Sequence, residues 1–200
     1  MSSFSTIIVS NRLPVSVSKV NGKLTFSSSS GGLATAMTSL EAKEKIWIGW
    51  PGIASDELTS SDKTQISREL AKHGCVPVYL SAEHIKLFYE GYANDTLWPL
   101  FHYFQALAVH KSEYWQAYRE VNRLFLKAVK KVARLDASIW VQDYQLMLLP
   151  KLLRAQLPQA SIGFFLHIPF PSYEIFRLLP ERREILEGLL GADLLGFHIY

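Results

Sequence analysis

The sequence predicts an α/β fold with a mostly parallel sheet flanked by helices, because short apolar runs alternate with amphipathic segments. The runs are continuous rather than alternating with polar residues, which is typical of strands covered on both faces. With 200 residues, of which 48% are hydrophobic and 20% charged, the chain is long enough for one sizeable core. The predicted strands cover residues 6–10, 46–50, 75–80, 138–143, 161–167 and 193–199.

A β-hairpin is predicted directly after the first strand. The segment "VSVSKVNGKLTF" alternates polar and apolar residues on both sides of Asn21-Gly22, a pair that favours a two-residue turn. The hairpin comes before a serine run at 27–30 that leads into the first predicted helix.

Three later helices follow from periodicity. Apolar residues recur at steps of three or four over 113–133, with basic residues on the other sides, which predicts an amphipathic helix with a solvated basic stripe. A second helix is predicted over 144–157, where Pro150 either kinks the helix or marks a new first turn. A third covers 181–190.

The net charge, the single cysteine and the first residues limit the classes of partner and the cellular compartment that we expect. The net charge of +3 comes from 21 basic and 18 acidic residues, which is too mild to predict a nucleic-acid or membrane partner, whereas small anions remain compatible. The single cysteine, Cys75, lies in the apolar run "CVPVYL" and is predicted to be a buried free thiol in a reducing compartment. Residues 1–14 lack a basic segment and a long apolar run, so we expect a cytoplasmic protein. The final strand, with no helix after it, leads us to expect a longer parent.

The candidate functional residues come where predicted strands end. Four strands end in Asn11-Arg12, Trp50-Pro51-Gly52, Asp143-Tyr144 and His167. Ligands of open α/β sheets bind beyond the carboxyl ends of the strands. We therefore expect these side chains to converge along one edge of the sheet.

Each candidate also has a purely structural interpretation. Arg12 either grips a phosphate or pairs with a carboxylate, and Gly31-Gly32 in "SSSSGGLATAM" either admits a phosphate to a helix N-terminus or follows a serine cap. Asp143 either serves a sugar or a proton transfer, or caps the next helix. His167 either bonds a substrate hydroxyl or is a core histidine; Pro169 and Pro171 would force the chain off the sheet beyond it.

Aromatic residues are concentrated in "FYEGYANDTLWPLFHYF" (88–104). Rings such as Tyr89 and Trp98 either stack on a sugar face or pack in the core. No Asp-x-Asp, H-E-x-x-H, G-x-S-x-G or P-loop motif occurs in the sequence, which disfavours a metal-dependent transferase of the single-domain kind.

Six ordered motifs, spread over nearly all of the chain, carry a resemblance. The stretches "SNRLPV", "SSGGLATAM", "WIGWPG", "YANDTLWPLFHY", "WVQDYQLMLLP" and "IGFFLHIPFPSYEIFRLLPERREILEGLLGADLLGFH" closely resemble trehalose-6-phosphate synthases, which are retaining glucosyltransferases of the two-domain glycosyltransferase-B fold. The "HDY" of some members stands here as Gln142-Asp143-Tyr144, which retains the carboxylate.

The resemblance implies a fold, a reaction and a domain organisation. Residues 1–200 would form the N-terminal, acceptor-side Rossmann-like domain, and the C-terminal nucleotide-sugar-binding domain would be absent from this chain. Members transfer glucose from UDP-glucose to glucose 6-phosphate, giving α,α-trehalose 6-phosphate, with no metal and no cofactor. The isolated chain is accordingly expected to fold but to be inactive, while the full-length parent is the enzyme. A homo-oligomer is compatible with this.

The resemblance also implies roles residue by residue. Arg12, Tyr89, Trp98 and Asp143 would bind glucose 6-phosphate, whereas Gly31, Gly32 and His167 would bind UDP-glucose. Asp143 and His167 would be the catalytic residues. Because the leaving phosphate is thought to assist deprotonation of the incoming hydroxyl, the protein would mainly position the substrates and stabilise charge, and no nucleophilic carboxylate is expected.

Two other functions stay open from the sequence. One is a related synthase with another phosphorylated acceptor, such as glycerol 3-phosphate. The other is a non-catalytic regulatory or assembly subunit of a synthase complex.

Overall fold

The computed structural model describes residues 4–28 and 45–198, which form a six-stranded parallel sheet, a two-stranded hairpin and flanking helices. The predicted first helix and Gly31-Gly32 lie outside these ranges. The strands are β1 (Phe4–Arg12), β2 (Val15–Val20), β3 (Lys23–Ser28), β4 (Lys45–Trp50), β5 (Cys75–Pro77), β6 (Ala133–Gln142), β7 (Ser161–Leu166) and β8 (Leu194–Phe197).

Helices connect the strands. They are α1 (Ser60–Lys72), α2 (Ala82–His84), a π-helix (Ile85–Leu97), α3 (Trp98–Phe101), α4 (Ser112–Lys130), α5 (Leu149–Gln156), α6 (Tyr173–Phe176) and α7 (Arg182–Leu189). Single 3₁₀ turns cover Ser55–Glu57, Gln105–Leu107 and Tyr144–Leu146.

The sheet order locates the functional edge. The strands lie in the order β5-β4-β1-β6-β7-β8, and every pair is parallel. After β1 the chain builds toward β5, and it then returns to the other side of β1 and builds toward β8. The order therefore reverses between β1 and β6, and ligands of such sheets bind at the carboxyl ends of the strands that flank this point.

The core lies on both faces of the sheet, as the continuous apolar runs predict. On one face Ile7, Val9, Ile139 and Val141 pack in a cluster that includes the buried residues of the π-helix and of α4, α5 and α7. On the other face Ile8 and Trp47 pack with Ile66 and Leu70 of α1 and with Val15 and Val17 of the hairpin. Alternate residues of β1 therefore belong to opposite halves of the core.

The predicted hairpin is confirmed. Strands β2 and β3 pair antiparallel, with Val20 opposite Lys23. Asn21 and Gly22 both have positive φ, 50° and 76°, as a two-residue turn that matches strand twist requires. Val17 also donates its N–H to Pro51 O at 2.7 Å, which ties the hairpin to the loop after β4.

Several predicted boundaries are wrong. The strand predicted over 75–80 ends at Pro77, although Val78 still donates its N–H to Gly49 O of β4 at 2.8 Å. The helix predicted to reach 133 ends at Lys130, and β6 begins at Ala133 because that residue pairs with Phe4. The last strand is limited to Leu194–Phe197.

The segment 144–157 resolves one open alternative. It is a 3₁₀ turn followed by α5, with Pro150 in the first turn of α5. Proline is tolerated there because the first N–H groups of a helix have no partner within it. The aromatic segment 88–104, which shows little regular periodicity, falls largely on the π-helix, whose side chains do not follow a 3.6-residue repeat.

Across residues 4–28 and 45–198, none of the helices has both the length and the apolar character to cross a membrane.

Candidate functional site

Three of the predicted residues lie at the ends of neighbouring strands beside the reversal point of the sheet. Arg12 is the last residue of β1, Asp143 directly follows β6, and His167 directly follows β7. These strands are consecutive neighbours in the sheet, with Val9 beside Val141 and Gln142 beside Phe165. The predicted convergence at one edge is therefore confirmed for these three residues.

Asp143 is held in an unusual backbone conformation by hydrogen bonds. Its φ is 74° and its ψ is 169°, a region that residues other than glycine avoid at a cost of about 1–3 kcal/mol. Its Oδ1 accepts from Tyr144 N at 3.0 Å and from His167 N at 3.1 Å, and its own N–H donates to Phe165 O at 2.8 Å. The carboxylate thus joins the ends of β6 and β7. Asp143 also caps the 3₁₀ turn, which confirms the structural interpretation, whereas its role toward a sugar stays a prediction.

Burial sets the ionisation of Asp143. Desolvation raises the pKa of its carboxyl above the ordinary 3.8, and the two backbone hydrogen bonds and His167 oppose that rise. A mostly buried carboxylate with a raised pKa accepts hydrogen bonds strongly and takes up protons readily, and both properties suit a sugar-binding or proton-handling residue.

Tyr118 of α4 anchors the turn that follows Asp143. Its hydroxyl donates to Tyr144 O at 2.7 Å and accepts from Met147 N at 3.1 Å, both in the core. Asn122, one helical turn further on, donates to Gln145 O at 3.1 Å. The position of Asp143 is therefore fixed by a long helix and not by the loop alone.

The imidazole of His167 is half-buried and neutral in character. Its Nε2 lies 2.8 Å from Gln142 Oε1, and its ring lies 4.7 Å from that of Phe165 and 5.6 Å from that of His198. Burial lowers its pKa below 6.5, which outweighs the opposing effect of Asp143. The ring is therefore neither sealed in the core nor free, and the chain leaves the sheet directly beyond it.

Arg12 is stacked on an aromatic ring and makes no ion pair within the described ranges. Its guanidinium carbon lies 4.5 Å from the ring centroid of Trp50, and Nη2 donates a long hydrogen bond, 3.4 Å, to Ser16 Oγ. The side chain is exposed. Stacking on one face leaves most N–H groups of the guanidinium available to an anion.

Gly52 makes room for this arginine. Its φ is +96°, and a Cβ at this position would lie 2.7 Å from Arg12 Nη2. Trp50 itself is buried and donates its indole N–H to Ile53 O at 2.9 Å. The loop after β4 therefore supplies both the platform and the space for the guanidinium.

Two residues of the π-helix, Tyr89 and Asn94, link the surroundings of Arg12 to those of Asp143. The ring of Tyr89 lies 6.0 Å from that of Trp50. Five residues on, Asn94 Oδ1 accepts from the hydroxyl of Tyr144 at 3.0 Å. Tyr144 follows Asp143, so contacts run from Arg12 through Trp50 and the π-helix to the carboxylate.

Other predicted residues are not joined to this group. Trp98, at the start of α3, is 41% exposed and stacks on His102 at 4.1 Å; no ring contact links it to Tyr89 or Trp50 in the described part of the chain. Gly31 and Gly32 lie outside the described residues.

Sequence reasoning misses two contributors and the role of a third. It assigns Asn94 only to an aromatic segment and treats Gln142 only as a departure from a motif. It places Trp50 at the edge of the sheet but does not reveal its contact with Arg12. For Trp50 the signal was available, since the motif "WIGWPG" puts an aromatic residue and glycine beside one another at a strand end. Asn94 needed the π-helix register, and Gln142 needed the pairing of β6 with β7.

Within the described residues, neither a large apolar cavity nor a cluster of metal-binding side chains offers an alternative to this site. A cavity of about 430 Å³ lies over β6, β7 and β8, but its walls are almost entirely apolar and it contains neither Arg12 nor Asp143. In the described ranges, His, Cys, Asp and Glu side chains form no group of three or more that could hold a metal ion.

Comparison with known proteins agrees with this architecture. A parallel α/β domain with polar side chains at the carboxyl ends of the strands beside its reversal point has the architecture of a Rossmann-like ligand-binding domain. The model of glycosyltransferase family 20 matches residues 4–200, and the chain belongs to this family. The predicted family and the N-terminal glycosyltransferase-B type of fold are thereby confirmed.

Named relatives are similar over almost the whole chain. It is 46% identical over 197 residues to the trehalose-6-phosphate synthase of Mycolicibacterium vanbaalenii, with 96% of this chain and 40% of the relative covered. It is 47% identical over 206 residues to the α,α-trehalose-phosphate synthase [UDP-forming] of Pichia angusta, with 97% and 43% covered. The chain thus spans about two fifths of the length of these relatives.

A solved structure is also similar to this chain over nearly its whole length. An α,α-trehalose-phosphate synthase (UDP-forming) from Burkholderia xenovorans, in complex with glucose-6-phosphate, is similar with a TM-score of 0.74 and 30% identity. The alignment covers 97% of this chain and 40% of that one.

Proposed function

We propose that this chain forms the acceptor-side part of an α,α-trehalose-phosphate synthase, which transfers glucose from UDP-glucose to glucose 6-phosphate. The observation that carries the proposal is the position of Arg12, Asp143 and His167 at the ends of neighbouring strands beside the reversal point of the sheet. A phosphate-binding cation, a hydroxyl-binding carboxylate and a neutral imidazole on one edge are what a phosphorylated sugar and its glycosyl donor require.

The acceptor occupies the side of the rim near β1 and β4. Arg12 holds the phosphate of glucose 6-phosphate with the N–H groups that Trp50 leaves open. Tyr89 packs against the sugar, and Trp98, which makes no ring contact with Tyr89 in the described part of the chain, offers a second and exposed ring to the acceptor. Asp143 accepts hydrogen bonds from the acceptor hydroxyls, because its carboxylate emerges at the end of β6.

The donor occupies the side of the rim near β7. His167 contacts the donor glucose, and Gly31 and Gly32 approach the sugar or its diphosphate. A second, C-terminal domain of the parent grips the nucleotide, which the greater length of the relatives supports. The isolated chain therefore lacks turnover, and the parent is the enzyme.

In the proposed glucosyl transfer the protein mainly positions the two substrates and forms no covalent bond to either of them. The bond between the anomeric carbon and the UDP oxygen breaks, and the acceptor hydroxyl oxygen bonds to that carbon on the same face. The proton of that hydroxyl passes to the leaving phosphate oxygen. Asp143 and His167 position the reacting groups, with no metal and no cofactor in the step.

The setting proposed for the parent is the cytoplasm, where a phosphorylated sugar and a nucleotide sugar are both available. A homo-oligomer is compatible with the proposal, and nucleic acid and membrane are not expected as partners.

Thermal unfolding with added ligands tests the acceptor. Glucose 6-phosphate should raise the Tm of this chain, because a ligand that binds the native state stabilises it; glycerol 3-phosphate should raise it less, and the Arg12→Ala variant should respond to neither. A larger effect of glycerol 3-phosphate would favour the related synthase, and no response to either would favour the non-catalytic subunit. Turnover of UDP-glucose and glucose 6-phosphate should be found in the parent but not in this chain.

A further inference from the structure

Gln142 contacts the proposed donor-binding histidine from within the sheet. It is the last residue of β6 and is 1% exposed. Its Oε1 lies 2.8 Å from His167 Nε2. The next residue, Asp143, accepts the main-chain N–H of His167, so two successive residues hold the ring and the backbone of the same histidine.

This contact selects one form of the imidazole. A carbonyl oxygen only accepts, so with the Gln142 amide in this orientation the nitrogen that faces it carries the proton. Burial lowers the pKa of His167, and the neutral ring has a single N–H, so Nδ1 keeps its lone pair. A ring in this form accepts a hydrogen bond from a hydroxyl group through Nδ1.

The packing of Gln142 shows that it does not act only as filler. Its amide Nε2 is buried and has no hydrogen-bond partner among the described residues. Exchanging the amide nitrogen and oxygen would leave the oxygen without one instead. A buried polar atom without a partner costs about 1–3 kcal/mol, and the contact of Gln142 Oε1 with His167 Nε2 offsets part of this cost.

We propose that Gln142 is a positioning residue that holds His167 as the neutral Nε2–H tautomer, with Nδ1 directed to accept a hydrogen bond from a sugar hydroxyl. The second half of this statement rests on the proposed function, in which His167 touches the donor glucose. The first half concerns this chain alone and is tested without any transfer reaction.

Nitrogen NMR of the chain labelled at its six histidines measures the tautomer directly. The spectrum is recorded at pH 8, where the neutral ring is present, and the His167 signals are those lost in His167→Asn. We expect one tautomer, with Nε2 protonated and Nδ1 bare. A protonated Nδ1 would overturn the proposal.

Variants separate positioning from packing. Gln142→Met keeps the size of the side chain without the amide; we expect it to give a mixture of the two tautomers of His167. Gln142→Glu should keep the Nε2–H tautomer and raise the pKa of His167. Gln145→Met, which alters a second buried glutamine away from the ring, should leave the His167 signals as they are.

The contrary result is equally specific. If Gln142→Met leaves the tautomer of His167 unchanged, the positioning role is wrong. These readouts need no donor or acceptor, so failure of the inference remains distinct from failure of the proposed function, which the turnover of the parent decides.

Discussion

The guanidinium carbon of Arg12 lies 4.5 Å from the ring centroid of Trp50. The two residues end neighbouring parallel strands, and the indole of Trp50 is fixed by its own hydrogen bond to Ile53 O. An arginine held in this way keeps its flat donor edge in one orientation, so less freedom is lost when an anion binds.

Replacement of Arg12 by lysine should therefore fail to restore binding. Lysine keeps the positive charge but loses the stacked plane and the paired donors. We expect Arg12→Lys and Arg12→Ala both to weaken glucose 6-phosphate binding by about tenfold or more, from the loss of about 1.5–3 kcal/mol of charged hydrogen bonds. Calorimetric titration measures this. Full affinity in the lysine variant would show that charge alone suffices.

Gly52 should matter for binding beyond its backbone conformation. In Gly52→Ala the new Cβ lies against Arg12 Nη2, and the alanine must adopt the positive φ of the native backbone. In Gly22→Ala the alanine must also adopt a positive φ, but its Cβ has no neighbouring atom within 4 Å. Both variants should lose about 1 kcal/mol of unfolding free energy. Only Gly52→Ala should also weaken glucose 6-phosphate binding. Equal affinities in the two variants would mean that the space beside Arg12 is unimportant.

The charged carboxylate of Asp143 should lower the stability of the folded chain. Because its pKa is raised in the folded state, ionisation at neutral pH disfavours folding relative to the unfolded chain. Asp143→Asn removes the charge and keeps an oxygen for Tyr144 N and His167 N. We expect its Tm to equal or exceed that of the wild type while glucose 6-phosphate binding falls at least tenfold, from about 1.4 kcal/mol or more.

Asp143→Ala is the matched control for that comparison. It also removes the charge, but it leaves both backbone N–H groups without their acceptor, so its Tm should fall below that of the wild type. If the asparagine variant were the less stable of the two, the two hydrogen bonds would not be what holds this junction.

His167 should make the stability of the chain depend on pH on the acidic side of neutrality. Its pKa lies below 6.5 in the folded state, so between that value and 6.5 the unfolded chain binds more protons than the folded one. Stability therefore falls as the pH drops below 6.5 and is level above it. Urea unfolding from pH 7.5 to pH 5 should show a smaller loss in His167→Gln. Identical losses in both proteins would contradict the burial of the ring.

Cys75 should react slowly in the native chain. It is 2% exposed, and burial raises the pKa of its thiol from 9.0 to about 11, so the thiolate fraction at pH 8 should be about a hundredfold lower than in the unfolded chain. Alkylation followed by mass spectrometry, with and without urea, measures the two rates. Similar rates would mean that the thiol is accessible.

Most of the fold could be predicted because local patterns and packing agree. Continuous apolar strands, the Asn21-Gly22 turn and the amphipathic period of α4 each reflect a force that acts over a few residues. The errors fall where distant contacts decide. Phe4 draws Ala133 into β6 across the sheet, and the π-helix departs from the usual period so that Tyr89 and Asn94 reach the rim.

The site could be predicted only in part for the same reason. Strand ends identify Arg12, Asp143 and His167, because the carboxyl ends of parallel strands share an edge. They do not reveal that Arg12 stacks on Trp50, or that Gln142 of β6 contacts His167 at the end of the adjacent strand β7. Such pairings depend on sheet order and register, which a single sequence does not encode locally.

The central claim is that Arg12, Asp143 and His167 form one ligand-binding rim. Backbone NMR of this chain during titration with glucose 6-phosphate tests it most directly. The account predicts saturable shifts concentrated at residues 12, 50–52, 89–94, 143–144 and 167, with glucose or inorganic phosphate producing weaker ones. Shifts gathered instead over the apolar cavity beside β8 or along the outer faces of α4 and α7, with the rim unchanged, would contradict it.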